Sequence, residues 1–155
     1  MPLEIDLQLV MSDKAIPDVE KIQHWADAAA DACRCDNNMV LTIRVTDALE
    51  SAELNDRYRN QPGPTNVLSF PFEDPPGQKT NVLGDLVVCA PVVQKEADEQ
   101  HKSSDAHWAH ILVHGVLHLC GYDHIDQSGA DEMESLETGI ITGLGFPPPY
   151  EEQKL

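Results

Sequence analysis

The stretch Ala106–His124, AHWAHILVHGVLHLCGYDH, is apolar on almost every side, with Ala109, Ile111, Leu112, Val113, Val116, Leu117 and Leu119 leaving little room for a solvated face. That pattern predicts a helix buried at the centre of the fold, ending near Cys120. At about 100° per residue, His107, His110, His114 and His118 fall on one stripe of this helix. Four imidazoles on one stripe of an apolar helix are costly to bury unless they are hydrogen-bonded or metallated.

His114 and His118 lie four residues apart, so one helix face presents both rings to one point. Gly121 supplies the left-handed residue that a helix end needs, and the chain turns there to bring His124 back. Three neutral nitrogens with an open fourth position describe a catalytic zinc site, one ion per chain. His107 and His110, two turns and one turn earlier, either support the ligands or face substrate, or are hydrogen-bonded packing residues; packing is the favoured reading. Asp123 either orients a ligating imidazole or caps the turn. Cys120 is read as core, because a ligand there would crowd His118 and His124.

The spacing is that of the metallopeptidase motif H-E-x-x-H-x-x-G-x-x-H, a zincin-like pattern, with one break. Gly115 stands where the general-base glutamate belongs. Losing that proton shuttle removes a contribution of ~10²–10⁴ in rate. Gly115 also costs ~1 kcal/mol of helix stability against alanine, which implies that something approaches the helix closely there.

Outward from this helix, Leu3–Val10 alternates, with Leu3, Ile5, Leu7 and Leu9 on one side, as a half-buried strand does. Pro17-Asp18 opens a helix carrying Val19, Ile22, Trp25, Ala26 and Ala29 at helical spacing as far as Cys33. Met39–Val45 reads as a second strand, and Asp47 caps a helix through Leu54 and Tyr58 that breaks at Arg59–Pro64. Asn66–Phe72 and the more apolar Leu83–Ala90 are two further strands, the latter interior to the sheet. Pro91 sits in the first turn of a helix to about Gln100, and Ser103, Ser104 or Asp105 caps the central one. Ser128 is read as the cap of a last helix with Met133, Leu136, Ile140 and Ile141 as its apolar face. Asp131, Glu132, Glu134 and Glu137 then make an acidic face, solvated by default and alternatively a docking surface for a basic protein. The order predicts an α/β or α+β sandwich over 1–155 as one domain, with α+β the expectation adopted: a small four-stranded mixed sheet packed with about five helices around the central buried one.

A net charge of −17 on 155 residues gives no general attraction to phosphate backbones. Any nucleic-acid role therefore needs a local basic patch or a partner that delivers the enzyme. Arg44, Arg57 and Arg59 lie close in sequence in a chain with ten basic residues, and they make such a patch if they converge on the metal cleft. No basic leader precedes an apolar run at the N-terminus, and no apolar run reaches the ~18 residues of a membrane span. Cys33, Cys35, Cys89 and Cys120 lack the spacing of a disulfide framework or a CxxC pair, so reduced thiols in a cytoplasmic protein with no membrane association are expected.

HGVLHLCGYDH, together with Asn55-x-x-Tyr58-Arg59, Pro64–Pro71 (PTNVLSFP), Leu83–Val88 (LGDLVV) and Ala106–His110 (AHWAH), resembles the bacterial YbeY family of ribosomal-RNA maturation endoribonucleases. The resemblance covers nearly the whole chain. It implies a metal-dependent hydrolase with zinc on His114, His118 and His124, a functionally important arginine at Arg59, and work on ribosomal-RNA 3′ ends and in ribosome quality control. It implies ribosomal RNA as partner, along with a ribosomal protein or assembly factor. Zinc lowers the pKa of bound water to ~7 and polarises a phosphoryl oxygen, and Arg59 is suited to clamp a phosphate through two hydrogen bonds. His114 and Arg59 are the catalytic candidates, with Arg57 as a further substrate contact. Thr65, Asn66 and Ser69 either touch substrate or serve turn and strand hydrogen bonding. A metallopeptidase and a non-catalytic metal-binding assembly factor are the competing classes.

Overall fold

The computed structural model describes residues 3–36, 38–122 and 127–150. Strands β1 (Glu4–Leu9), β2 (Val40–Thr46), β3 (Val67–Pro71) and β4 (Val82–Cys89) form one mixed sheet in the order β1-β2-β4-β3. β1, β2 and β4 run parallel, and β3 pairs antiparallel with β4 along one edge. Helices α1 (Val19–Ala32), α2 (Ala48–Arg59), α3 (Ala90–Glu99), α4 (Ser104–Leu119) and α5 (Gln127–Gly143) complete the α+β architecture expected from the sequence. No helix of the described residues is long and apolar enough to cross a membrane.

Local chemistry starts these helices where the sequence placed them. Asp18 and Asp47 cap α1 and α2 by accepting from the backbone N–H of Lys21 at 3.0 Å and Glu50 at 2.9 Å. Among the three candidate caps of α4, Ser103 does the work, its hydroxyl accepting from Ala106 N–H at 3.1 Å. Pro91 occupies the first turn of α3. Ser128, expected as a cap, lies inside α5, because the helical backbone already includes Gln127.

The core lies between one face of the sheet and α1, α4 and α5. On β2, Leu41, Ile43 and Val45 are fully buried, and register sets Ile43 beside Leu86 and Val45 beside Val88 of β4. α4 crosses this face with Trp108, Leu112, Val116 and Leu117 buried, contacting α1, α3, α5 and β3. The apolar stripes of β1 and α1 end sooner than their patterns suggest. Leu9 is 54 % exposed and Val19 51 % exposed. Each sits at the extremity of its element, β1 is an edge strand, and neither has a facing layer there.

Gly115 is explained by packing. A Cβ at this position would lie 2.8 and 3.0 Å from the two methyl carbons of Leu86, closer than carbon atoms pack. The glycine therefore lets the central helix settle onto β4. Where β4 pairs β2, the register shifts between Val40 and Leu41 so that Leu41 meets Gly84, whose φ of +148° is open to glycine alone.

Gly115→Ala is expected to destabilise the fold by about 1 kcal/mol, overpacking of ~1–3 kcal/mol outweighing the ~1 kcal/mol gain in helix propensity. In a Leu86→Val background that cost should shrink, which urea denaturation of the four-member cycle would measure. A stabilising Gly115→Ala in the wild-type background would show that the close approach is not what selects glycine.

Candidate metal centre

α4 brings His114 and His118 side by side, with ring centroids 4.7 Å apart. Both rings are partly exposed and line an open cleft of about 520 Å³, walled by Tyr58 and Arg59 from the end of α2 and by Thr65–Phe70. Gly121, with φ +102°, turns the chain after α4 as the sequence anticipated. His124 and Asp123 lie outside the described residues.

Behind His114 stands a residue that sequence reasoning assigned to the solvated acidic face. Glu137 of α5 has no exposed surface. Its carboxylate accepts from His114 Nδ1 at 2.5 Å, from His110 Nε2 at 3.0 Å and from the Tyr150 hydroxyl at 2.5 Å. Burial pushes this carboxyl's pKa up, but the bonds from His110 and His114 outweigh it and hold the group down at about 2. Burial also drops His110 below the ordinary histidine range, only partly opposed by Glu137, so His110 is a neutral donor at pH 7. Burial and the adjoining Glu137 push Tyr150 up, which keeps its hydroxyl a donor as well.

A signal for Glu137 was present in the sequence. It lies four residues after Met133 and three and four before Ile140 and Ile141, all buried, so it sits on the apolar stripe of α5. Asp131, Glu132 and Glu134 do face solvent.

The Glu137 bond orients the His114 ring. An ionised carboxylate only accepts, so Nδ1 is the donor in this bond. A carboxylate behind an imidazole is the usual support of a metal-ligating histidine. With His118 one turn away in the same cleft, the described donor set suits a borderline-soft divalent ion such as zinc.

His107 and His110 lie off the cleft. His107, 3 % exposed, bonds through Nε2 to Glu96 of α3 at 2.9 Å, and Glu96 also accepts from Asn66 at 3.0 Å. Asn66 thereby braces the start of β3 from behind, its own carbonyl taking Cys89 N–H at 2.9 Å. Thr65 is pinned by Ser51, buried on α2, which bonds both its N–H and its carbonyl at 3.1 Å. Asn55, also buried, donates to Gly63 O at 2.9 Å. These two α2 residues hold the 60–65 loop against the helix end, and Asn60 closes that end in a left-handed conformation (φ +53°). Arg59, the last residue of α2, is thereby set on the cleft rim.

The three arginines do not converge. Arg44 follows Ile43 on β2 and so points to the opposite face of the sheet. There it forms a two-pronged bond to Glu50 at 2.7 and 3.0 Å and reaches Gln8 at 3.0 Å. Arg57 is exposed on another side of α2, two residues and about 200° from Arg59. Of the three, Arg59 alone lines the cleft.

A sequence profile of the family described as Endoribonuclease YbeY matches residues 10–145 of the chain. Among solved structures, TM1509 from Thermotoga maritima, determined in solution, is similar in fold with a TM-score of 0.60. The two are 22 % identical in sequence, and the match covers 98 % of this chain and 91 % of that one.

Two outcomes follow from these contacts. Glu137→Ala strands three polar groups and is expected to cost ~3–5 kcal/mol by urea denaturation, with Glu137→Gln milder because it keeps an acceptor. Glu50 is held at about 2, first by its bond from Arg44 and then by that from Thr46. Its folded pKa is lowered, so its contribution is full above the ordinary value of 4.5 and is lost as pH falls through about 2. Glu50→Gln should therefore flatten the fall of stability between those pH values, measured as denaturation midpoints against wild type.

Proposed function

The chain belongs to the YbeY endoribonuclease family, and on that premise we propose that it is a zinc-dependent, single-strand-type endoribonuclease of ribosomal-RNA 3′-end maturation and ribosome quality control, acting in the cytoplasm. His114, His118 and His124 hold one zinc ion per chain, and Arg59 engages the RNA phosphate. The observation that carries the reading is the juxtaposition of the His114–His118 pair with Arg59 across one open cleft.

When bound, the ion supplies Lewis acidity at the cleft. The chain's own residues do the rest. Glu137 keeps the proton of His114 on Nδ1 and the ring in one orientation. Arg59 is always charged, and its planar fork matches two phosphate oxygens at once. The edge strand β3 and the Thr65–Asn66 corner, both anchored from behind, wall the same open cleft as the two histidines. In a chain of net charge −17, an arginine on the cleft rim gives a phosphate its local counter-charge. The exposed Asp131, Glu132 and Glu134 suit a basic ribosomal protein or assembly factor that brings the enzyme to its RNA.

Zinc-loaded protein, a chelated sample, and the His114→Ala and Arg59→Ala variants would each be given precursor ribosomal RNA and an unfolded protein. Chelation and His114→Ala should abolish RNA cleavage, and Arg59→Ala should slow it by ~10²–10³. Arg59→Lys should restore little of that loss, because a single ammonium cannot make the paired contact. Cleavage unchanged in both alanine variants would mean a contaminating nuclease and end the proposal. Proteolysis lost with His114→Ala would turn the assignment to a peptidase, and metal binding with turnover of neither substrate to an assembly factor.

A further inference from the structure

Three cysteines with no recognisable spacing in sequence meet at one point of the fold. Cys33 Sγ lies 2.8 Å from Cys120 Sγ, and Cys35 Sγ lies 3.6 Å from the same atom. All three sulfurs are within 4.8 Å of one another, and the side chains are half-buried against the core. Cys89, the fourth cysteine, is buried elsewhere on β4.

The backbone builds this cluster from two helix ends. Cys33 is the C-cap of α1 and Cys120 the C-cap of α4. Arg34 takes a left-handed conformation (φ +55°), and Cys35 N–H returns to Ala30 O at 3.0 Å, which folds the second sulfur back beside the first. Helix C-termini carry the negative end of the macrodipole, and Asp31 and Asp36 add negative potential at these thiols. Such a setting favours a cation held between the sulfurs.

We propose that Cys33, Cys35 and Cys120 form a second metal site, a three-thiolate site for a soft cation of the zinc class, separate from the histidine cleft. Thiolates are the ligands that select such ions. A tetrahedral ion with bonds of ~2.3 Å sets its sulfurs about 3.8 Å apart. The Cys35–Cys120 separation already matches. The Cys33–Cys120 pair must open by about 1 Å, a small rotation for half-buried side chains. Each thiol gives its proton to solvent as its sulfur–metal bond forms. Because Cys120 ends the helix that bears His114 and His118, an ion here clamps the end of α1 to the end of α4 beside the cleft. The site does not depend on the ribonuclease reading.

The test uses the full reduced chain under anaerobic conditions, with Cd²⁺ alone as the probe. Titration should raise the ultraviolet thiolate-to-metal charge-transfer band, a signature that histidine ligands do not produce. The band should survive in the His114→Ala/His118→Ala double variant and in Cys89→Ala. Cys35→Ser should cut its amplitude to about two-thirds and weaken Cd²⁺ on the order of tenfold or more. Cys33→Ala should behave likewise, with circular dichroism confirming that each variant is folded. A folded, reduced wild type with no band would overturn the proposal. So would full amplitude in Cys35→Ser, or a Cys33–Cys120 disulfide by mass whose reduction yields no Cd²⁺ binding.

Discussion

A carboxylate with no access to water is the constraint around which this molecule is arranged. Glu137 would cost several kcal/mol to bury alone, and it is tolerated because His110, His114 and Tyr150 all donate to it. The same bonds tie α5 and the segment after it to the central helix. One charge with three donors thus serves two ends. It joins elements distant in sequence, and it fixes the proton and orientation of the imidazole that faces the cleft. Stability and site geometry here rest on one set of contacts.

The opposite wall of the cleft is built by the same logic from different atoms. Arg59 is an exposed residue at the end of α2. Its position follows from the buried Ser51 and Asn55, which bind the loop after α2, and from Asn60, which ends the helix one residue later. Behind β3, Asn66, Glu96 and His107 repeat the pattern of a histidine stabilised by a carboxylate. The polar stripe of α4 is therefore shared between two carboxylates, Glu96 for its first turn and Glu137 for the next two. The stripe's C-terminal part turns to the cleft.

Much of this was legible in the sequence. The four-strand, five-helix architecture, the caps at Asp18 and Asp47, the buried central helix and the pairing of His114 with His118 all follow from patterns confined to one element. Gly115 was recognised as a point of close approach, and Leu86 is what approaches. The misses share a cause. Arg44 was grouped with Arg57 and Arg59 by proximity in sequence, although strand alternation sends it to the other face. Glu137 was grouped with its acidic neighbours, although its helical register with Met133, Ile140 and Ile141 marks it as inward-facing. In both cases periodicity outweighed neighbourhood.

By itself, then, the sequence determined which segments are helix or strand, where the central helix starts, and which face of it carries imidazoles. Those are properties of backbone propensity, capping and period, and they need no partner from elsewhere in the chain. Tertiary structure alone decided which carboxylate meets which histidine, which arginine reaches the cleft, and that Cys33 and Cys35 lie against Cys120 across 85 residues or more. A charged or nucleophilic side chain takes its meaning from the groups within a few ångströms of it. Folding the sheet against α4 is what brings those groups together.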